Sequence, residues 1–173
     1  RLTAPNNGAN NDKFDVSGDT PMVLRTKVKL NTKTTEVVNI LGKMDEQYGI
    51  QVDGSADRVI LYCLDANNKW PEIEYKYDAD KFWGEWHDIA LVYTGTKLQL
   101  YVDGNAGTAV QGRPNATAGY NIVLKSSASS IFTIGYNVAK STEHGEDSNH
   151  KKYSTLDQVD GKIADIKLYK GKD

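Results

Sequence analysis

The stretch that decides the fold is GEWHDIALVY, Gly84 to Tyr93, followed by Thr94-Gly95 and then KLQLYVDG, Lys97 to Gly104. Trp86 to Tyr93 is apolar at both even and odd positions, the pattern of a strand buried on both faces in the middle of a sheet. Thr94-Gly95 is a turn signal, and Lys97 to Val102 alternates between apolar and polar residues. Asp103-Gly104 then closes the second arm of an antiparallel hairpin.

Working outward from this hairpin, strand patterns recur on both sides. Met22 to Leu30 alternates, with Leu24, Thr26, Val28 and Leu30 on one face and Val23, Arg25, Lys27 and Lys29 on the other. Further strands are predicted over Val37 to Leu41, Tyr48 to Val52, Arg58 to Leu64, Trp70 to Tyr77, Tyr120 to Leu124, Ser130 to Ile134 and Lys162 to Tyr169. Asp53-Gly54 and Asp65-Ala66-Asn67-Asn68 read as turns between them. No window of about 11 residues keeps apolar residues at helical spacing, so essentially no helix is expected. About ten short strands separated by turn signals predict an all-β protein, an antiparallel two-sheet β-sandwich of jelly-roll type.

The chain has 173 residues and 19.1 kDa, which suits one domain spanning 1–173 with a full core. It opens on Arg1 rather than methionine, and it is expected to be a piece of a larger protein. Net charge is −2 and the pI is about 5.9, so nucleic acid and anionic membranes are not expected partners. No apolar run approaches the roughly 20 residues that cross a bilayer, so membrane insertion is not expected. Cys63 lies in the apolar run Val59 to Leu64 and is expected to be a buried, inert thiol. The stretch Asn137 to Gly161 lacks strand character, and polar loops of that length are often functional.

Three stretches, in order, resemble the laminin G-like branch of the concanavalin A-like jelly rolls. The hairpin quoted above is similar to that family's W-H-x-[VI]-A-x-x-Y and Y-V-D-G pair. Leu41-Gly42-Lys43 with Tyr48 to Val52 resembles its K…YGIQL hairpin. Phe132 to Gly135 and Gly161 to Tyr169 resemble its TIG and closing G-x-I-D-D-V-R-I-Y strands, with Ala164 in place of the first acidic residue. The likeness runs from about Met22 to Tyr169. It implies a carbohydrate-binding module without catalytic activity, similar to those appended to streptococcal β-galactosidases and bacterial sialidases. Such a module is expected outside the cell, in a secreted or wall-anchored glycoside hydrolase, as a monomer within a multidomain chain. The implied ligand is a glycan with a galactose-containing or sialylated terminus. A protein-interaction or adhesion domain and a glycanase are the alternatives, because the fold hosts all three.

Glycanases of this fold carry paired carboxylates on one strand face, and the nearest match is Glu72-Ile73-Glu74, two residues apart and so on one face. The third acidic residue of that motif is missing, and a solvated or ligand-facing strand is the expected reading. For sugar binding the useful aromatics are those that the core does not need. Trp86, Tyr93, Tyr101 and Tyr169 are assigned to the core, and Trp86→Ala is expected to cost about 3–5 kcal/mol through a cavity. Trp70, between a polar turn and Pro71, and Trp83, before Gly84, are candidate ligand contacts. Trp70 is preferred, since Pro71 holds it extended at a strand start. Lys43, Glu46, Tyr48, Glu72, Asn137, Glu143 and His144 complete a candidate rim cleft. Arg25, Lys27, Lys29 and Gln99 form a second candidate face suited to an anionic sugar. No cofactor is required. A structural calcium is implied by the resemblance, with Asp15, Asp19 and Asp165 as candidate ligands and Asn11 and Asp12 nearby.

Overall fold

Alternation governs the packing from the first long strand onward. A computed structural model describes residues 2–4, 14–16, 18–43, 47–110, 122–125, 132–135 and 159–171. In Met22–Leu30 the residues expected to face inward are buried, and those between them are half-buried or exposed. Among the described residues twelve strands form, in order β1 (Leu2–Ala4), β2 (Met22–Leu30), β3 (Val37–Lys43), β4 (Tyr48–Asp53), β5 (Arg58–Cys63), β6 (Glu72–Lys76), β7 (His87–Tyr93), β8 (Leu98–Val102), β9 (Asn105–Ala106), β10 (Thr108–Ala109), β11 (Phe132–Ile134) and β12 (Gly161–Lys170). One helical turn, α1 (Ala79–Phe82), is capped by the Asp78 side chain, which accepts from the Asp80 backbone N–H.

The strands make a seven-stranded sheet, β1-β11-β3-β4-β5-β6-β10, and a five-stranded sheet, β12-β2-β7-β8-β9, with every pair antiparallel. This is the jelly-roll sandwich that the sequence predicts. The core lies between the sheets. Val28, Ile89, Leu91 and Leu100 from one meet Ile50, Val52, Val59 and Leu61 from the other, all without solvent exposure. The β3–β4 connection bulges at Ile40, between Asn39 and Leu41. The strand expected over Tyr120 to Leu124 reduces, within 122–125, to bridges of Leu124 with Gly18 and Asp65.

Two buried polar side chains tie connecting segments to one end of the sandwich, the end holding the β5–β6 and β7–β8 turns. Gln47 donates to the carbonyls of Val16 (2.9 Å) and Lys125 (2.8 Å) and accepts from the Val16 N–H. The Tyr93 hydroxyl sits 2.8 Å from the carbonyls of both Gly18 and Gly95. Such bonds satisfy backbone groups that run through the interior without a sheet partner. At the opposite end, Gly84 N–H donates to the Leu30 carbonyl and Tyr77 N–H to that of Asp57. His87 is bound there by Asp103 (2.7 Å) and the Phe82 carbonyl (2.8 Å), and its ring stacks on Phe82.

The hairpin that decides the fold forms in register, with Tyr93 opposite Leu98 and Ile89 opposite Val102. One part of its reading is corrected. β7 is not buried on both faces: Ile89, Leu91 and Tyr93 face the core, while Ala90 and Val92 are half-buried on the sheet's outer side. Trp86 is 45% exposed and Tyr169 is 61% exposed, so neither is a core residue. The reason is architectural, because a five-stranded sheet in a two-layer sandwich has only one covered face. Trp86→Ala is therefore expected to shift unfolding free energy by no more than about 1 kcal/mol. Urea denaturation measures this, and a loss near 3–5 kcal/mol would return Trp86 to the core.

Candidate functional site

The turn after β5 is built by one acid. Asp65 is buried, and its Oδ1 accepts from the N–H groups of Asn67 (2.9 Å) and Lys69 (2.7 Å). Its own N–H donates to the Lys69 carbonyl, and Asn68 takes a positive φ of 57°, which asparagine tolerates well. Lys125 Nζ donates to Asn68 Oδ1 at 2.8 Å and fixes the turn's outer side. The chain leaves this turn as Trp70-Pro71. Pro71 cannot donate, but its carbonyl accepts from Cys63 N–H, so the strand begins only at Glu72.

Trp70 is thus held half-buried at the rim, with its ring centroid 5.8 Å from that of half-buried Tyr62 and the planes at 49°. Tyr62 lies in register with Glu72 on β6 and with Gly49 on β4. Because Val59, Leu61 and Cys63 face the core, Arg58, Ile60 and Tyr62 line the outer face of the seven-stranded sheet. Glu72, Glu74 and Gln51 share that face by register. Gln51 Nε2 donates to Asn39 Oδ1 at 2.8 Å.

Arg58 is the charge centre of the face. Its Nη1 lies 2.9 Å from Glu74 Oε2 and 3.5 Å from Glu72 Oε1, and its Nε donates to Asp53 Oδ2 at 3.1 Å. Burial works to lower the guanidinium's pKa, but its bonds to Glu74 and Asp53 outweigh this and hold it above its ordinary value. Burial likewise works to raise Asp53, yet hydrogen bonds from Ser55 and Arg58 hold its carboxyl below the usual range. Glu72 and Glu74 are therefore strapped to one cation. A hydrolytic pair needs the opposite, one carboxyl that carries a proton while the other stays charged.

The other sequence candidates disperse. Lys43 and Tyr48 sit at the same end as Trp70 but inside the sandwich, both with no exposed surface. Lys43 Nζ pairs with Asp15 Oδ1 at 2.7 Å, and the Tyr48 hydroxyl donates to the Phe14 carbonyl at 2.7 Å. Their place in the rim cleft is corrected accordingly: side chains sealed in the core offer a ligand no contact. Trp83 stands at the opposite end, edge-on to Phe82 and Tyr77, beside a groove of about 460 Å³ lined also by Lys33, Val38 and Asp160. It belongs to no cleft containing Trp70. Glu46, Asn137, Glu143 and His144 lie outside the described residues, as do Asn11 and Asp12.

Of the calcium ligands implied by the resemblance, Asp15, Asp19 and Asp165 lie within the described residues, and Asn11 and Asp12 beside them do not. Asp15 is engaged by Lys43, and Asp165 lies 3.6 Å from Lys27 in the β12 bulge. Among the described residues no three metal-ligating side chains cluster. Cys63 is buried, and burial followed by the nearby Asp65 pushes its thiol pKa up, which fits an inert residue. Among the described residues no helix is long and apolar enough to cross a membrane.

Sequence reasoning missed Tyr62 and Arg58. Their signal was present in the alternation of Arg58 to Cys63, which places every second residue outward once Val59, Leu61 and Cys63 are assigned inward.

A family model described as Concanavalin A-like lectin/glucanases superfamily matches residues 24–172. Domain 4 of AbnA, an extracellular arabinanase from Geobacillus stearothermophilus in complex with arabinotriose, is similar with a TM-score of 0.51 and 18% identity, covering 91% of this chain and 64% of that one. Domains LG4-5 of the mouse laminin alpha1 chain give a TM-score of 0.52 at 17% identity, covering 88% and 37%. The receptor binding domain of botulinum neurotoxin C/D mosaic serotype gives 0.52 at 10% identity, covering 98% and 42%. The chain thus spans less than two thirds of the length of each of these structures. No curated protein sequence matches it.

The turn that presents Trp70 is testable by itself. Asp65→Ala removes the acceptor for two backbone N–H groups and is expected to cost about 1–2 kcal/mol in urea unfolding, most of it recovered in Asp65→Asn, which keeps Oδ1. Equal losses in the two variants would mean that the carboxylate charge, not the turn geometry, is what matters.

Proposed function

The chain belongs to the Concanavalin A-like lectin/glucanases superfamily, and on that premise we propose that it is a carbohydrate-binding module without catalytic activity. The observation that carries this reading is the Trp70–Tyr62 pair, half-exposed at the rim of a sheet face rich in hydrogen-bonding groups. A pyranose or furanose ring presents an apolar C–H face to an indole and a circle of hydroxyls to its surroundings. Trp70 supplies the stacking surface, and Asn67, Lys69 and Glu72 stand within three residues of it along the chain. The similarity to an arabinanase domain in complex with arabinotriose supports an oligosaccharide as ligand, at the level of the shared fold. The Arg58 strap across Glu72 and Glu74 speaks against hydrolysis on this face.

In this reading the module serves a larger secreted or wall-anchored glycoside hydrolase and holds it near glycans with galactose-containing or sialylated ends. Affinity per module is modest, since one or two stacked rings and a few solvent-exposed hydrogen bonds carry it.

A glycan array identifies the sugar, and titration of variants then tests the site. Trp70→Ala is expected to reduce binding at least tenfold, with the melting temperature within about 2 °C of the wild type. Wild-type affinity in Trp70→Ala would remove the site from this face. Absence of any bound glycan at high protein density would favour a protein-adhesion role instead.

A further inference from the structure

The outer face of the five-stranded sheet, on the other side of the molecule from Trp70, is unusual in both charge and exposure. Register places Lys167 beside Arg25 and Lys162 beside Lys29, with Lys27 between those rows. Alternation through β7 sets Trp86 next to Lys29, since His87 pairs with Val28, and Tyr169 pairs with Val23 two residues beyond Arg25. Five cations therefore share this face with two acids, Asp88 and Asp165, a local surplus of three positive charges in a chain whose total is −2.

The two acids do not neutralise the surface. Asp88 is taken by Arg25 in a bidentate pair, with Nη2 to Oδ2 at 2.6 Å and Nε to Oδ1 at 2.8 Å. Asp165 stands 3.6 Å from Lys27, both well exposed. Lys29, Lys162 and Lys167 have no salt-bridge partner among the described residues, so their charges are available to a ligand. Trp86 and Tyr169, 45% and 61% exposed, bracket the basic strip. From Val23, beside Tyr169, to Lys29, beside Trp86, is about 20 Å of extended strand, room for several sugar rings.

We propose that this face is a second binding surface, for an acidic polysaccharide whose carboxylate or sulfate groups pair with Lys27, Lys29, Lys162 and Lys167 and whose rings stack on Trp86 and Tyr169. Neither feature alone identifies the ligand. Exposed lysines are ordinary solubility devices, and an exposed tryptophan has no need of lysines. Together they match a polymer that alternates flat apolar ring faces with fixed negative charge. A nucleic acid fits less well, because the chain outside this strip is net negative. The surface is separate from the Trp70 site, and the inference does not rest on the reading of that site.

Solid-phase binding tests it with heparin as the sulfated polymer, polygalacturonate as the carboxylated one, dextran as a neutral control and single-stranded DNA as a polyanion without sugar-ring stacking specificity. The wild type is expected to bind heparin or polygalacturonate in about 0.02 M salt and to lose most of that binding near 0.3 M. The double variants Lys27→Glu/Lys29→Glu and Lys162→Glu/Lys167→Glu are each expected to weaken it at least tenfold. Trp86→Ala is expected to weaken it about three- to tenfold while leaving the salt dependence unchanged, and Trp70→Ala to leave it intact. Circular dichroism of each variant checks folding, and since all six positions are exposed or half-buried at the surface, the wild-type spectrum is expected. No binding to either acidic polymer at low salt would overturn the proposal. So would DNA binding as tight as the saccharides' together with an indifferent Trp86→Ala, which would leave a general polyanion surface.

Discussion

In a two-layer sandwich each strand must bury one face against the other sheet, and the two-residue period of the extended chain then dictates what the opposite face can carry. Ile50, Leu61 and Ile73 stand in register across β4, β5 and β6 and commit those strands to the core. Once they are committed, Gln51, Arg58, Tyr62, Glu72 and Glu74 have only the outer side left. A slip of one residue would exchange the two sets, placing five polar or amphipathic side chains where Ile and Leu now pack. The hydrophobic register thus positions the candidate face without any contact of its own to a ligand.

The same constraint acts on the other sheet with a different outcome. There the outer positions of β2 and β12 include Arg25, Lys27, Lys29, Lys162 and Lys167, and the aromatic residues Trp86 and Tyr169 stand exposed among them. The seven-stranded sheet turns its outer charges inward on themselves, Arg58 serving three carboxylates, whereas several cations of the five-stranded sheet have no ion-pair partner among the described residues. A closed ion cluster chiefly orders its own neighbourhood, because its members pair with one another. An open set of cations attracts ligands and is sensitive to salt.

Much of the fold was legible in the sequence because strand alternation is a local property. Met22–Leu30 and the Trp86 hairpin could be read from residues a few positions apart, as could the order of the later strands. The site was legible in part. Trp70 stood out through its turn and Pro71, and those local features do hold it at the rim. Lys43 and Tyr48 were misplaced because what decides their burial is distant in sequence: Asp15 and Phe14 reach them from the N-terminal segment. A buried lysine is not expected from any local pattern, since lysine is rarely buried without a partner. Trp86 was misplaced for a different reason. An apolar run reads as doubly covered, and only the count of layers reveals that Ala90 and Val92 face outward.

The central claim is that sugar contacts the indole at the rim of the seven-stranded sheet, and the chain's three tryptophans make that directly observable. Each contributes one indole N–H signal in a proton–nitrogen correlation spectrum, assigned by single substitutions. Titration with the oligosaccharide selected on the glycan array is predicted to shift the Trp70 signal while those of Trp83 and Trp86 stay in place. A shift confined to Trp83 or Trp86, with Trp70 unmoved at saturation, would contradict the account.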